Sequence, residues 1–161
     1  EENNNGHIVI TSSIAGHLSY PNMGIYNASK HAVLSIAETL CYEMQEKSSD
    51  VGVSVLCTGL VKTNILDSDS NRPEFLTNND SLSEPDDDDG RKEAVRDIYN
   101  LALDPESVAD LVFKAVQSKQ FYIFTENTFQ DAIKSRHRDI ELARNPTLGA
   151  NLVEEHLNDT D

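Results

Sequence analysis

Short apolar segments divide the chain and predict three β-strands. Residues 7–12 hold three consecutive apolar β-branched side chains, and residues 51–57 alternate before ending in an apolar run. Continuous apolar runs of this length are typical of parallel strands covered on both faces. The pattern therefore predicts two buried strands near 7–12 and 51–57. A third strand is expected near 121–125, where the sequence is FYIFT.

Apolar residues at spacings of three and four predict helices around these strands. The longest helix is expected over residues 26–47, and shorter helices over 92–103, 105–119 and 128–144. The expected inner face of the longest helix consists of Val33, Ile36, Ala37, Leu40, Cys41 and Met44. The expected inner face of the last helix consists of Ile133, Ile140 and Leu142.

The order of these elements indicates the α/β class. A strand, a long helix and a second strand make a βαβ unit, which implies a parallel sheet with a right-handed crossover. We expect part of a Rossmann-like, doubly wound sheet in residues 1–146 and a polar tail in 147–161. Ligands bind such sheets at the carboxyl ends of the strands. Ser13, the region of Tyr26 and the loop 58–63 all follow strand ends.

The charge distribution excludes several functions. The net charge is −15, and residues 66–90 contribute −8 of it through nine acidic residues and one arginine. We interpret this stretch as a long solvated loop. Nucleic-acid binding is not expected, because phosphate contacts need a basic surface. No apolar run approaches the ~20 residues of a membrane span.

Cysteine and histidine usage argues against disulfides and metal sites. Cys41 and Cys57 are isolated, which fits a reduced, cytoplasmic protein without a disulfide framework. The five histidines are scattered, and Asp86–Asp89 lack the spacing of a calcium loop. No metal is therefore expected.

Tyr26 and Lys30 form the candidate site with the clearest chemistry. Residues four apart lie on one face of a helix, within side-chain reach. A free phenol ionises near pH 10, and a neighbouring ammonium favours the phenolate. Such a phenol can donate a proton to a carbonyl during reduction and accept one during alcohol oxidation. Ser13, thirteen residues before Tyr26, could hydrogen-bond the substrate oxygen.

The combination of motifs resembles the short-chain dehydrogenase/reductase family. The matching stretches are residues 8–16 (IVITSSIAG), 26–30 (YNASK) and 59–63 (GLVKT). Residues 106–125 also resemble the family's C-terminal helix and last strand. The resemblance extends from residue 6 to about residue 146, apart from the acidic loop, which the family places over the substrate.

The resemblance implies NAD or NADP as cofactor and a small alcohol or ketone as substrate. Tyr26 would be the catalytic acid and base, and Lys30 would favour its phenolate and bind the nicotinamide ribose. Ser13 would orient the substrate carbonyl. The nicotinamide would be lined by Gly59, Val61 and Thr63. The helix 26–47 would form the contact of a homo-oligomer.

The chain departs from the family pattern in three places. The Gly-rich cofactor loop is absent, Thr58 stands where proline is usual, and residues 125–128 replace a small turn containing proline. The chain is therefore expected to be the C-terminal half of an oxidoreductase. Half of such a sheet would expose an unpaired edge at its first strand. Whether this chain alone binds a cofactor or is active stays open.

Two functions remain in competition at this point. The first is an NAD(P)-dependent oxidoreductase that interconverts a secondary alcohol and a ketone. The second is a non-catalytic, dehydrogenase-like association module, or a truncated product, which would use the helix 26–47 for binding. The missing cofactor loop favours the second, whereas the set of Ser13, Tyr26 and Lys30 favours the first.

Overall fold

The structure, a computed structural model, describes residues 5–76 and 88–147. The chain forms two compact units. Residues 1–59 and 106–161 make the first, and residues 60–105 make the second. In the part of the chain described, no helix has both the length and the hydropathy that a membrane span requires.

The first unit is built on a three-stranded parallel sheet. Its strands are β1 (His7–Thr11), β2 (Gly52–Cys57) and β3 (Tyr122–Phe124), in the spatial order β1-β2-β3. The register places His7 opposite Gly52 and Thr11 opposite Leu56. The α/β class and the Rossmann-like parallel sheet are thus confirmed. Each strand is shorter than predicted by one or two residues.

Helices connect and follow these strands. The first, α1 (Gly24–Glu46), links β1 to β2, as a parallel pair requires. Two further helices, α3 (Pro105–Ser118) and α4 (Gln130–Glu141), lie before and after β3. Pro105 occupies the first position of α3, where its missing N–H costs no hydrogen bond.

The core of this unit consists of two clusters. Leu34 and Ala37 of α1 pack with Val55 and Cys57 of the central strand β2. The second cluster lies where the chain leaves β1 and enters α4, and it consists of Ile14, Leu18, Phe129 and Ile133. The central strand is therefore covered by α1, and the turn after β1 is covered by α4.

The predicted burial of β1 on both faces is wrong. Ile8 and Val9 are 39% and 38% exposed, whereas β2 is buried along almost its whole length. The physical reason is position, because β1 pairs only with β2 and forms the edge of the described sheet. Within the described residues β1 has one neighbouring strand, β2, on one edge only.

The predicted inner face of α1 is wrong at Ile36, which is 62% exposed. The helix instead buries Asn27, Leu34 and Ala37. These three residues lie on one stripe, with spacings of seven and three. Ile36 follows Leu34 by two residues, which turns it about 200° around the helix axis, away from that stripe.

The predicted inner face of α4 is correct only at Ile133, which is buried. Ile140 is 62% exposed although it lies two turns beyond Ile133 on the same face, because it borders a cavity instead of packed side chains. Leu142 follows the end of the helix and is also exposed. Phe129, which the prediction omitted, is completely buried.

The second unit contains α2 (Asp88–Leu101) and short 3-10 helices at Asn64–Asn71 and Glu74–Leu76. The expected loop over 66–90 is therefore wrong for its first part and for residues 88–90, which begin α2, and residues 77–87 lie outside the described residues. The predicted helix over 92–103 is confirmed, with an earlier start. Within this unit Lys62 N donates to Leu103 O at 2.9 Å. The predicted polar tail lies outside the described residues after Thr147.

Candidate active site

Ser13 lies at the carboxyl end of β1, where the chain stays attached to β2 beyond the strand. Ser12 N donates to Leu56 O and Ile14 N donates to Thr58 O, both at 2.8 Å. Ser13 caps the 3-10 helix Ile14–Gly16, since its Oγ accepts from Ala15 N at 3.2 Å. The same Oγ donates to Thr58 O at 3.2 Å. The hydroxyl is therefore buried and already uses its proton within the chain.

A close backbone approach joins this turn to α1 at Lys30. Ser12 is buried, and its Oγ donates to Lys30 O at 3.0 Å. A Cβ placed on Gly16 would lie 2.7 Å from Ser12 Oγ and 2.9 Å from Lys30 O. Only glycine permits this approach, because real Cβ contacts are longer. The position of the Lys30 backbone is thus fixed by the end of β1.

Tyr26 and Lys30 lie one turn apart near the start of α1. Lys30 Nζ lies 5.7 Å from the centroid of the Tyr26 ring, which is within the usual range of cation–π contacts. Tyr26 is 39% exposed, so a solute can reach its ring. Among the residues described, no carboxylate lies within ion-pair distance of Lys30. The ammonium is therefore available to the phenol and to an added ligand.

Asn27 is a buried polar residue that the sequence analysis missed. Its Nδ2 donates to Tyr20 O at 2.9 Å, which attaches the first turn of α1 to the preceding loop. Its Oδ1 is buried without a hydrogen-bond partner among the described residues. The only signal in the sequence is its spacing of seven from Leu34, on the face that α1 buries.

Gly59 has a packing reason to be glycine. Its N–H donates to Thr125 Oγ1 at 3.0 Å. A Cβ at this position would collide with the Glu126 carboxylate and lie 3.1 Å from the Phe129 ring. The loop after β2 is therefore pressed against the segment that follows β3.

The predicted site residues are divided between the two units. Ser13, Tyr26, Lys30 and Gly59 belong to the first unit. Val61 and Thr63 belong to the second, where Val61 forms a parallel bridge with Leu103.

His17 and Cys57, the last residue of β2, form a buried neutral pair that the sequence did not indicate. His17 Nε2 lies 3.3 Å from Cys57 Sγ. Burial lowers the pKa of His17, although Glu38 opposes the shift. Burial, with a contribution from Glu38, raises the pKa of the Cys57 thiol to about 12. Cys57 is therefore a thiol at neutral pH and is not an activated nucleophile.

Glu38 of α1 also accepts a hydrogen bond from a residue of β3. Tyr122 OH donates to Glu38 Oε1 at 2.6 Å, which joins the last strand to the middle of α1. Burial and this hydrogen bond raise the pKa of Tyr122. Across the described residues, no set of three histidine, cysteine or acidic side chains is arranged to hold a metal. Tyr26, with its ammonium neighbour Lys30, is by contrast 39% exposed.

Comparisons with known proteins agree on one family. Residues 1–74 match the family model described as short chain dehydrogenase. The chain is 29% identical over 140 residues to the CLA biosynthesis dehydrogenase/reductase of Lactiplantibacillus plantarum, covering 83% of this chain and 47% of that protein. It is 43% identical over 63 residues to the farnesol dehydrogenase of Aedes aegypti, covering 38% of this chain and 26% of that protein.

A solved structure extends the similarity over most of the chain. A short chain dehydrogenase/reductase from Burkholderia phymatum, in complex with NAD, matches with a TM-score of 0.75 and 41% identity. The match covers 92% of this chain and 53% of that protein. The chain thus spans about half the length of these two proteins, which it covers to 47% and 53%.

Proposed function

Because the chain belongs to the short-chain dehydrogenase/reductase family, we propose that it carries the acid–base half of an NAD(P)-dependent oxidoreductase. The reaction is the interconversion of a secondary alcohol and a ketone by hydride transfer. The proposal rests on one observation above all, which is the Lys30 ammonium lying over the ring of the partly exposed Tyr26.

Tyr26 moves the proton in this proposal. The Lys30 ammonium, 5.7 Å from the centroid of the Tyr26 ring, places a positive charge beside the group that gives and takes the proton. In ketone reduction the phenol donates to the developing alkoxide, and in alcohol oxidation the phenolate accepts the hydroxyl proton. Tyr26 needs solvent or substrate access for both steps, and its exposure provides that access.

In this proposal Ser13 donates a hydrogen bond to the substrate oxygen and gives up its hydrogen bond to Thr58 O. Its proton is directed at Thr58 O at 3.2 Å, a length typical of a weak hydrogen bond. Rotation of the hydroxyl towards a substrate oxygen would exchange one acceptor for another. The bond from Ala15 N keeps the Ser13 oxygen in place during this exchange.

The residues present fit part of a dinucleotide site. A bound nicotinamide supplies the hydride donor or acceptor. Lys30 has no ion pair among the described residues and can hydrogen-bond the ribose hydroxyls. Gly59, Val61 and Thr63 would contact the nicotinamide from the loop after β2. The choice between NAD and NADP depends on residues outside this motif set.

A subunit contact through α1 completes the proposal. Ile25 and Ile36 of this helix are large, apolar and more than 60% exposed, and their spacing of eleven places them on one face. An exposed apolar face of a helix supports a subunit contact. The same observation supports the second candidate, a dehydrogenase-like association module without catalysis.

The test is turnover by the natural gene product with Tyr26 replaced by phenylalanine. We expect Tyr26→Phe to reduce NAD(P)H-dependent ketone reduction at least a hundredfold, because the proton donor is lost. Tyr42→Phe, on the same helix and exposed, is the matched control and should leave turnover unchanged. Full activity in Tyr26→Phe would refute the assigned role. A product that forms oligomers but binds neither nucleotide would favour the association module.

A further inference from the structure

A cavity lies away from the Tyr26 ring, between the loop Leu18–Tyr20 and α4. Its volume is about 300 Å³, at the lower end of the range of ligand sites. Its apolar walls include Leu18, Ala132, Ile140 and Pro146. Neither Tyr26 nor Lys30 lines it. Nothing in the proposed oxidoreductase chemistry uses this space.

Arg136 is the charged group that this cavity leaves without a counter-ion. Arg136 is a partly buried residue, and in the described residues no carboxylate lies within ion-pair distance of its guanidinium. Its described polar contact is His31 Nε2, at 3.4 Å from one guanidinium nitrogen. Burying charge is costly unless the charge is paired. An unpaired arginine is unexpected in a chain with 28 acidic and 13 basic residues.

The carboxylate nearest in the cavity wall is already occupied. Asp139 Oδ2 accepts from Thr147 Oγ1 at 2.7 Å and from Thr147 N at 3.0 Å. Its Oδ1 lies 3.5 Å from Arg144 Nε. The hydrogen bonds from Thr147 hold the pKa of Asp139 below its usual range. Asp139 and Arg144 thus satisfy each other, and Arg136 is left to an outside anion.

We propose that this cavity binds a small carboxylic acid with an apolar body. Arg136 would bind the carboxylate, since guanidinium and carboxylate match in charge and in planar geometry. Leu18, Ala132 and Ile140 would surround the apolar body. Ile140 is exposed in the structure, and a ligand in the cavity would cover it.

The experiment is calorimetric titration of the full chain with hexanoate and, separately, with hexan-1-ol. Hexanoate should bind saturably and at least tenfold more tightly than the alcohol, because only the acid can pair with the guanidinium. Arg136→Gln should weaken hexanoate binding at least tenfold. Arg138→Gln is the matched control, since Arg138 lies on the same helix but does not line this cavity.

Several results would overturn the proposal. Equal affinity for hexanoate and hexan-1-ol would show that the cavity binds only through apolar contacts. This comparison needs no substitution, since it uses the unmodified chain. Unchanged binding in Arg136→Gln, with a native circular dichroism spectrum, would place the carboxylate elsewhere. Binding only after removal of residues 148–161 would identify the chain's own tail as the occupant. None of these results depends on turnover or nucleotide binding, so the oxidoreductase proposal is tested separately.

Discussion

The carboxyl end of the sheet has two regions that are packed differently, which we call the β1 side and the α4 side. Where β1 meets α1, backbone atoms approach closely at Gly16, and the buried Ser12 and Ser13 hydroxyls are paired within the chain. On the α4 side the helix packs through Phe129 and Ile133 and leaves a cavity, whose Arg136 has no ion pair among the described residues. The first side is a fixed support for Tyr26 and Lys30. The second side has space for a ligand.

The largest loss of stability is expected at Phe129, the residue that anchors α4. Phe129→Ala should lower the free energy of unfolding by about 3–5 kcal/mol, because it empties a completely buried site between Ile14, Leu18 and Ile133. Urea unfolding followed by circular dichroism measures the change. Phe113→Ala is the control, since that ring is 63% exposed and its loss should cost much less. Equal losses would mean that Phe129 does not anchor α4.

The corresponding change on the β1 side is Gly16→Ala. The added methyl would meet Ser12 Oγ and Lys30 O at less than 3 Å, so strand end and helix must separate. We expect a loss of about 1–3 kcal/mol in the free energy of unfolding, as for other overpacked sites. Gly24→Ala, where a Cβ meets nothing within 4 Å, should be neutral or slightly stabilising. A tolerated Gly16→Ala would show that the close approach is not needed.

The contrast also explains what the sequence could predict. The β1 side is encoded locally, since Ser13, Gly16, Tyr26 and Lys30 lie within eighteen residues, and the combination of their motifs with the family resemblance suggested the site. The strands and helices were likewise visible as apolar periodicity. These features depend on neighbours along the chain, and the pattern of residue types records them directly.

The α4 side depends on contacts that periodicity does not show. Ile140 has the spacing of a core residue but borders a cavity, and Asp139 is buried because Thr147 folds back onto it. The burial of β1 was mispredicted for a related reason. An apolar strand has the same sequence at an edge as in the middle of a sheet, and only its neighbours decide its exposure.

Asp139 tests the polar contacts of the α4 side. Its pKa is held below the usual range by Thr147 in the folded chain. The resulting stabilisation is therefore complete above the unfolded pKa of about 3.9 and is lost as pH falls through the lower folded value. Asp139→Asn should lower the urea midpoint at pH 7, and its difference from the unmodified chain should shrink in acid.

Asp131→Asn is the matched control on the same helix. Asp131 pairs with Lys134 at 2.8 Å, but its side chain is almost fully exposed, so the pair contributes little. We expect a smaller change in the urea midpoint at pH 7. A larger effect at Asp131 than at Asp139 would mean that the contact with Thr147 does not hold the end of α4.

The smallest effect is expected at His17, which belongs to both sides. It follows Gly16 and contacts Cys57. It also lines a different cavity together with His31 and the α4 residues Arg136 and His137. Burial lowers the pKa of His17, with help from His137, His31 and Arg136 and against the attraction of Glu38. In the unfolded chain the imidazole ionises near pH 6.5. The unfolded chain therefore binds more protons below that pH, and stability falls as pH decreases from about 7 towards the folded pKa.

His17→Gln removes this contribution while keeping a polar side chain beside Cys57. The loss of stability between pH 7.5 and 5.5, measured by urea unfolding, should be smaller in the variant than in the unmodified chain. The lowered pKa of His17 depends both on burial by the β1 turn and on the charges of α4. Arg136→Gln removes one cation that disfavours the imidazolium, so it should reduce the difference in pH dependence between His17→Gln and its parent chain. An identical pH dependence in His17→Gln and the unmodified chain would show that His17 carries its proton in the folded state. The two sides would then be electrostatically independent at this residue.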